Sequence, residues 1–394
     1  MGGLAGAAPP RLVLVVAMPA AKLPGVVDGG TLRAVPFGDP LFGELDERPR
    51  VESYLRCFRT PFDAALQPTV IVRPASEPIP AADELTNFRN VIAASAVVKA
   101  RADRCRPRHN NHGPLFSELF DFYPIHLRLT RPGLIIQTAA ERGTDTAERF
   151  HGQGALTYVY PDNVDVKFDE QLLSALLALW KAKPHRRAAK ARRRRLFRSL
   201  ELACAAMRGG PVNFGSVTDR GVSLSLWVSA FETLAHPLTG DVGIGNVRTF
   251  VEAVPWHGKR VRLKRYAFDY RSAHRRTGVA FPAGWSRVSK PVRVYGRLYR
   301  ARNLMLHGEE LPPMGLEPEG RKGWGPLDLQ AAALYRCVLL HQLSLDGFGT
   351  YPAKPDRATA RRMGLVEYGE QYLAAGFAHE RYEDALGRDY RGGP

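Results

Sequence analysis

Cysteine is scarce in this chain. The four residues present, Cys57, Cys105, Cys204 and Cys337, lie far apart and form no CxxC pair. That argues against a disulfide framework or a zinc knuckle and fits a reduced compartment. A membrane-length apolar run is also lacking: Leu12 to Met18 is too short to cross a bilayer. The stretch follows a lone Arg11 and precedes Ala20 and Ala21, which touches on a secretory signal. The basic start is weak, however, and Leu-Val-Leu-Val-Val reads more plainly as a β-strand. A cytoplasmic protein without a membrane partner is the expectation. Acidic residues are outnumbered, with 39 Asp+Glu against 56 Lys+Arg, a net charge of +17. Such an excess favours a polyanionic partner and says nothing about fold.

Metal-ligand spacing is missing as well. His109-Asn110-Asn111-His112 brings two histidines close together, but no carboxylate or third ligand lies at useful spacing, and the flanking Arg and Pro mark a loop. Neither a metal nor a cofactor is expected. Gly243-x-Gly245 has no strand leading into it and lacks the third glycine of a phosphate cradle, so it reads as flexible loop.

What is present describes an ordinary folded chain, 45% hydrophobic and 24% charged over 394 residues. That length suits about two domains at roughly 150 residues each. Residues 1–160 are expected to form a mixed, strand-bearing α+β domain of unassigned role, a candidate sensor. Short β-branched or aromatic runs recur there at Leu12–Met18, Thr69–Arg73 and Leu156–Tyr160, interrupted by one helix over about Ala82 to Cys105.

From Phe168 the hydrophobic period becomes helical. Asp169 is placed to cap a helix carrying Leu172, Leu173, Leu176, Leu177 and Trp180, stopped by Pro184. A second helix runs from about Ala188 to Arg208 and a third from about Val222 to His236, the latter with Leu224, Trp227, Val228, Phe231 and Leu234 at helical spacing. The fourth starts near Ser289, with Pro291 in its first turn, and ends at His307 before Gly308. A fifth spans about Leu327 to Leu345. Residues 161–394 therefore predict an all-α bundle. The segment 238–288 is too long for a plain connection and reads as an insertion, lid or binding loop.

The fourth helix carries the chemistry. Val294, Tyr295, Leu298 and Met305 form its apolar stripe, and Arg302 falls on that stripe. A guanidinium there needs a partner, because a buried unpaired charge costs roughly several kcal/mol. Glu232, on the edge of the third helix's apolar face, is one candidate and a bound phosphate is the other. His307 shares a face with Asn303 and Arg300, well around the helix from Arg302. The two converge only if the last turn tightens or a second subunit contributes. At the C-terminal end of a helix the histidine is favoured in its protonated form, which suits a general acid. Each residue also has an ordinary explanation: an arginine on a stripe is often half of an ion pair, and a histidine before glycine often only a helix end.

Arg302-Asn303-x-x-x-His307-Gly308, preceded by Tyr299 and by the earlier Leu226-Trp227-Val228-Ser229-Ala230-Phe231-Glu232 helix, resembles the HEPN superfamily, in particular its ApeA-like group of prokaryotic abortive-infection and antiphage proteins. Members share a helical bundle, and many are metal-independent ribonucleases with an Arg-(four to six residues)-His motif. Arg302 and His307 enclose four residues, Arg300 and His307 six, and Asn303 matches the polar residue after the motif arginine. The resemblance covers about residues 165–350. It implies an endoribonuclease in antiphage defence or acting as a toxin, a homodimer with the site across the two subunits, and a phage-derived trigger. His307 would move protons while Arg302, with Asn303 and Arg300, binds the scissile phosphate. The 2′-hydroxyl is the nucleophile, and the products are a 2′,3′-cyclic phosphate and a 5′-hydroxyl. Glu309 replaces the tyrosine that toxins paired with a nucleotidyltransferase carry two residues after the histidine, so regulation through that residue is not expected.

Two basic segments agree with an RNA partner, tRNA among the candidates. Arg186, Arg187, Lys190, Arg192, Arg193, Arg194 and Arg195 form one cationic face. Lys259, Arg260, Arg262, Lys264 and Arg265 are interleaved with Trp256, Tyr266, Phe268 and Tyr270, as phosphate contacts plus stacking require. A solvated helix face or a nuclear-localisation pattern accounts for the arginine run equally well. The competing reading of the whole is a non-catalytic bundle that binds RNA or a nucleotide, or serves dimerisation. A DNA-binding regulator is less favoured, since no helix-turn-helix spacing is present.

Overall fold

A computed structural model of the chain describes residues 11–46, 48–56, 58, 65–104, 113–127, 134–136, 164, 166–208, 217–236, 243–256, 261–262, 287–288, 290–309 and 327–351. At 50, 123–127, 134–136, 217–220, 261–262, 287–288 and 290 it describes the backbone alone. Leu156–Tyr160 and His109–His112 lie outside these residues. The chain adopts the expected α+β class. It divides into two compact units, one drawn from Met1–Ala100, His112–Pro184 and Met207–Gly215, the other from Arg101–Asn111, His185–Ala206 and Ser216–Pro394.

The first unit is built on a six-stranded sheet. Its strands are β1 (Leu12–Met18), β2 (Val27–Asp28), β3 (Arg33–Pro36), β4 (Thr69–Pro74), β5 (Tyr123–Leu127) and β6 (Leu134–Ile136), in the order β2-β3-β4-β1-β5-β6. Every neighbouring pair is antiparallel. Leu-Val-Leu-Val-Val-Ala-Met thus becomes an interior strand, pairing Leu12 with Pro74 and Met18 with Thr69 across a register shift between Leu14 and Val16. Helix α1 (Arg48–Leu55) sends Val51, Tyr54 and Leu55 into a core shared with Leu12, Ala17, Val70 and Val72.

Helix α2 (Ala82–Arg104) buries Phe88, Val91, Ile92, Ala96 and Val97 completely. Helix α3 (Glu170–Lys181) is capped as its sequence predicts, with Asp169 Oδ1 accepting from the Leu172 amide at 3.0 Å. The cap residue is itself docked, its amide donating to the Ser95 carbonyl at 2.9 Å. Trp180 at the far end donates from Nε1 to the Gly29 carbonyl at 3.1 Å and lies 5.4 Å from the Phe88 ring. These contacts make α3 part of the sheet unit.

Among the described residues, the second unit is helical apart from one short ribbon. It comprises α4 (Arg187–Ala206), α5 (Val217–Ala235), α6 (Ile244–Ala253), α7 (Lys290–Leu306) and α8 (Leu327–Leu345), with β7 (Val261–Arg262) paired antiparallel to β8 (Arg287–Val288). Helix α8 is apolar almost all round, and 15 of its 19 residues are buried, so it is the innermost helix of the unit. Ser199 of α4 donates its hydroxyl to the Ala230 carbonyl of α5 at 2.8 Å and so accepts from the Tyr335 hydroxyl of α8, also at 2.8 Å. Trp227, Phe231, Tyr295 and Tyr335 form a ring cluster with centroids 5.4–5.6 Å apart, joining α5, α7 and α8.

Within the segment 238–288, expected to be an insertion, lid or binding loop, the pair Gly243-x-Gly245 departs from its reading as flexible loop. Gly243 is the N-cap of α6 and Gly245 lies within its first turn, so the pair belongs to a helix start. Val247, Val251 and Val254, spaced by four and three residues, are buried and seat this helix against α7.

Candidate functional site

Helix α7 is driven into the unit by the first part of its stripe. Val294, Tyr295 and Leu298 are buried, while Arg302 and Met305 further along are half-exposed. The stripe therefore opens towards solvent over its last turn. The end of the helix is closed by glycine in a left-handed conformation: Gly308 has φ +69, its amide donates to the Met305 carbonyl at 3.1 Å, and the Glu309 amide donates to that of Leu304 at 2.8 Å. Those two bonds are the paired pattern of a Schellman stop.

The last turn does not tighten. The His307 amide donates to the Asn303 carbonyl at 3.0 Å, an ordinary α-helical step. Five residues of α-helix separate Arg302 from His307 by about 140° around the axis and about 7.5 Å along it. The imidazole is exposed and the guanidinium half-buried. The final turn therefore does not bring the two side chains together within this chain.

Asn303 connects the two halves of the motif. Its Oδ1 accepts from Arg302 Nη1 at 3.1 Å, and its carbonyl is the one that accepts from His307. The Arg302 guanidinium carbon also stands 5.6 Å from the centroid of the Tyr299 ring, a cation–π contact. Arg302 Nε is buried without a hydrogen-bond partner among the described residues.

Glu232 is the neighbour anticipated for Arg302, but the two make no ion pair among the described residues. They meet electrostatically at longer range. Burial raises the Glu232 carboxyl above its ordinary value, and the positive charge of Arg302 opposes that rise. The side chain is half-buried on α5, next to Phe231. Arg302 is accordingly held by Asn303 and Tyr299, with its Nε buried and unpaired among the described residues.

One participant was not singled out from sequence. Tyr295 is fully buried, with a hydroxyl that has no hydrogen-bond partner among the described residues. Burial, then Glu232 and Tyr299, push its phenol well above the usual range, while Arg248 and Arg302 pull the other way. Arg248 lies on α6 and is buried, so α6 brings a second guanidinium towards the phenol that also senses Arg302. The valine spacing of α6 could have revealed that helix, and with it the inward phase of Arg248. Arg300 is exposed on the His307 face.

The α4 cations separate into two groups. Arg192 pairs with Asp346 at 2.8 Å, Arg195 Nη1 donates to the His236 carbonyl at 2.5 Å, and Arg193 lies over the Phe197 ring at 4.9 Å. Arg194 is exposed, as are Arg186, Arg187 and Lys190. Lys259, Arg260, Lys264 and Arg265 lie outside the described residues, and Arg262 is described in its backbone, paired with Arg287 in the β7–β8 ribbon. No group of His, Cys, Asp or Glu that could hold a metal occurs among the described residues, and none of the described helices is long and apolar enough to cross a membrane. No protein-family model, curated protein or solved structure matches the chain.

Proposed function

We propose that the chain is a HEPN-type, metal-independent RNA endonuclease of antiphage defence or toxin type, working as a homodimer. The observation that carries this reading is the geometry of the last two turns of α7. A half-buried guanidinium bonded to the Asn303 side chain and a solvent-exposed imidazole stand about one and a half turns apart on the same helix end. Such a pair can cleave RNA using the substrate's own 2′-hydroxyl. Arg302 would bind the non-bridging phosphate oxygens, and His307 would transfer a proton at the attacking or leaving oxygen. The leaving 5′-oxygen takes a proton, and the 3′ side closes to a 2′,3′-cyclic phosphate.

A homodimer is favoured because one chain holds the two groups on different sides of α7. An apolar patch at the same end of the helix supports it: Val222 and Leu306 are 56% and 62% exposed, and they adjoin Gly221 and Met305, which meet where α5 crosses α7. Large apolar side chains this exposed are ordinary singly, but Leu306 lies within the motif and Val222 follows the glycine that Met305 packs against.

A non-catalytic RNA- or nucleotide-binding module is the second reading. It is favoured by the same bond that links Arg302 to Asn303, which engages the guanidinium before any substrate arrives. Incubation of the purified protein with tRNA or total RNA in excess chelator separates the two. Cleavage that survives EDTA and disappears in His307→Ala and Arg302→Ala supports the enzyme. Binding without cleavage in the wild type supports the module.

A further inference from the structure

The arginine-rich stretch of α4 is not a uniform charged face. On a helix of 3.6 residues per turn, Arg187, Lys190, Arg194 and Arg198 fall within a sector of about 80°. The buried side chains Leu196, Phe197, Leu200, Ala203 and Cys204 fill an arc centred about 120° away, with Phe197 next to the Lys190 edge. Arg192, Arg193 and Arg195 fall between the two or on the inner side, where each has a structural task. Arg192 faces the nearly buried Asp346 carboxylate just past the end of α8, Arg195 caps the end of α5 through the His236 carbonyl, and Arg193 covers Phe197. Of the outer four, Arg198 is paired with Glu201 at 2.7 Å. Arg187, Lys190 and Arg194 are exposed and make no ion pair among the described residues.

We propose that Arg187, Lys190 and Arg194 form a phosphate track on the outer face of α4, along which an RNA strand lies. This rests on the RNA-directed reading above but not on catalysis. The occupant follows from the character of the face. The uncharged residues of this stretch are Ala188, Ala189 and Ala191, small and exposed, so no aromatic or large aliphatic anchor is offered to a protein partner. The apolar side of the helix is committed to its own core, so it has nothing to insert into a bilayer. What is left is a row of long, mobile cations stepped by three and four residues, over about 10 Å of helix. That recognises a linear polyanion by charge and not by sequence.

The test is the salt dependence of binding to a 2′-O-methyl oligouridine, which lacks the nucleophile and so reports binding even in an active enzyme. Full-length wild type, the triple variant Arg187→Ala/Lys190→Ala/Arg194→Ala, and Arg192→Ala are titrated over a range of salt concentrations. Removing three phosphate contacts should flatten the plot of log affinity against log salt by about 2, at about 0.7 per contact on a single strand. The triple variant should melt with the wild type, because its side chains hold nothing. Arg192→Ala should melt lower and keep the wild-type slope. If the triple variant folds poorly, three single glutamine variants, each expected to flatten the slope by about 0.7, carry the test.

An unchanged slope in the triple variant overturns the track, as does a slope lost equally in Arg192→Ala. Binding to phosphatidylserine vesicles but not to the oligonucleotide, abolished by the same three changes, also overturns it in favour of a membrane surface. Failure of the nuclease reading looks different: wild type that leaves RNA intact while the triple variant still shows the flatter slope.

Discussion

Arg302 donates from Nη1 to Oδ1 of Asn303 at 3.1 Å, so the asparagine side chain is the acceptor that holds the motif arginine in place. A neutral amide is well suited to that role. It orients the guanidinium through one bond without cancelling its charge, leaving the cation able to receive a phosphate.

Replacing that amide by a carboxylate should therefore be worse than removing it. Asn303→Asp turns the contact into a charge-assisted bond that competes with phosphate for the same guanidinium. Cleavage of RNA is expected to fall about 10- to 100-fold in Asn303→Asp, corresponding to about 1.4–2.7 kcal/mol, and by less in Asn303→Ala. Single-turnover rates on a fixed RNA substrate check the order. A more active Asn303→Asp than Asn303→Ala would contradict it.

The end of α7 is placed by a close helix crossing. A Cβ added at Gly221 of α5 would fall 1.6 Å from Cε and 2.4 Å from Sδ of Met305. Gly221→Ala gives a mixed result, since alanine gains about 1 kcal/mol of helix propensity while the flexible thioether moves aside. Gly221→Val asks more of the contact and should destabilise the protein by about 1–3 kcal/mol. Adding Met305→Ala should restore part of that loss, a coupling readable from urea denaturation of the double-mutant cycle. Strict additivity would show that the two residues do not meet.

Much of this arrangement was legible in the sequence, for identifiable reasons. Helix α8 is apolar enough, α3 well enough capped at Asp169, and α7 well enough stopped at Gly308, that these extents emerge from periodicity and terminal residues. The expected cap of α7, Ser289, lies outside the described residues. Helix α6 was hidden because its start carries glycines and its length is ten residues, so local propensity favoured loop while burial against α7 decided the outcome. The grouping of α3 with the sheet was equally illegible. It depends on contacts such as Trp180 with Gly29, 151 residues apart, that no periodicity encodes. At the site, the face shared by Arg300, Asn303 and His307 followed from helix geometry. The Arg302–Asn303 bond did not, since adjacent residues on a helix diverge by about 100° and only the long arginine side chain closes the gap.

Glu232 provides a pH-dependent prediction. Its folded-state carboxyl is raised above the ordinary 4.5, first by burial, with Arg302 opposing. Below pH 4.5 the group is protonated whether the chain is folded or not. As pH rises through the folded-state value, the unfolded chain has already released the proton, so the fold loses stability relative to a neutral side chain. Glu232→Gln should match wild-type stability in acid and exceed it near neutrality. Thermal melts at pH 4 and pH 7 check the sign; a glutamine variant that is less stable only at pH 7 would mean the Arg302 attraction outweighs burial.

In the sheet unit, Gly29 has no room for a side chain. An added Cβ would meet Phe88 Cε2 at 2.6 Å, the Leu32 carbonyl oxygen at 2.9 Å and Trp180 Nε1 at 2.9 Å. Unlike the thioether facing Gly221, the carbonyl oxygen is backbone and the two rings are packed against each other. Gly29→Ala should cost about 2 kcal/mol or more, with loss of the Trp180 contact. A shift in tryptophan fluorescence together with a lower denaturation midpoint is the expected signature, and an unchanged midpoint would contradict it.

The separation of Arg302 and His307 around α7 gives the most discriminating experiment on the site. If each centre takes its arginine from one chain and its histidine from a twin, neither Arg302→Ala nor His307→Ala homodimers can cleave RNA. A mixed dimer of the two variants concentrates both lesions in one centre and leaves the other complete. Random mixing makes half the dimers mixed, each with one of two centres intact, so about a quarter of wild-type activity should return. Differently tagged variants can be unfolded, mixed and refolded, then tested on tRNA in chelator against each variant treated alone. Recovery would establish a shared centre. If the mixed dimer is isolated through both tags and remains silent while refolded wild type cleaves, both groups must act from one chain, and the helical geometry of α7 would have to change on binding RNA.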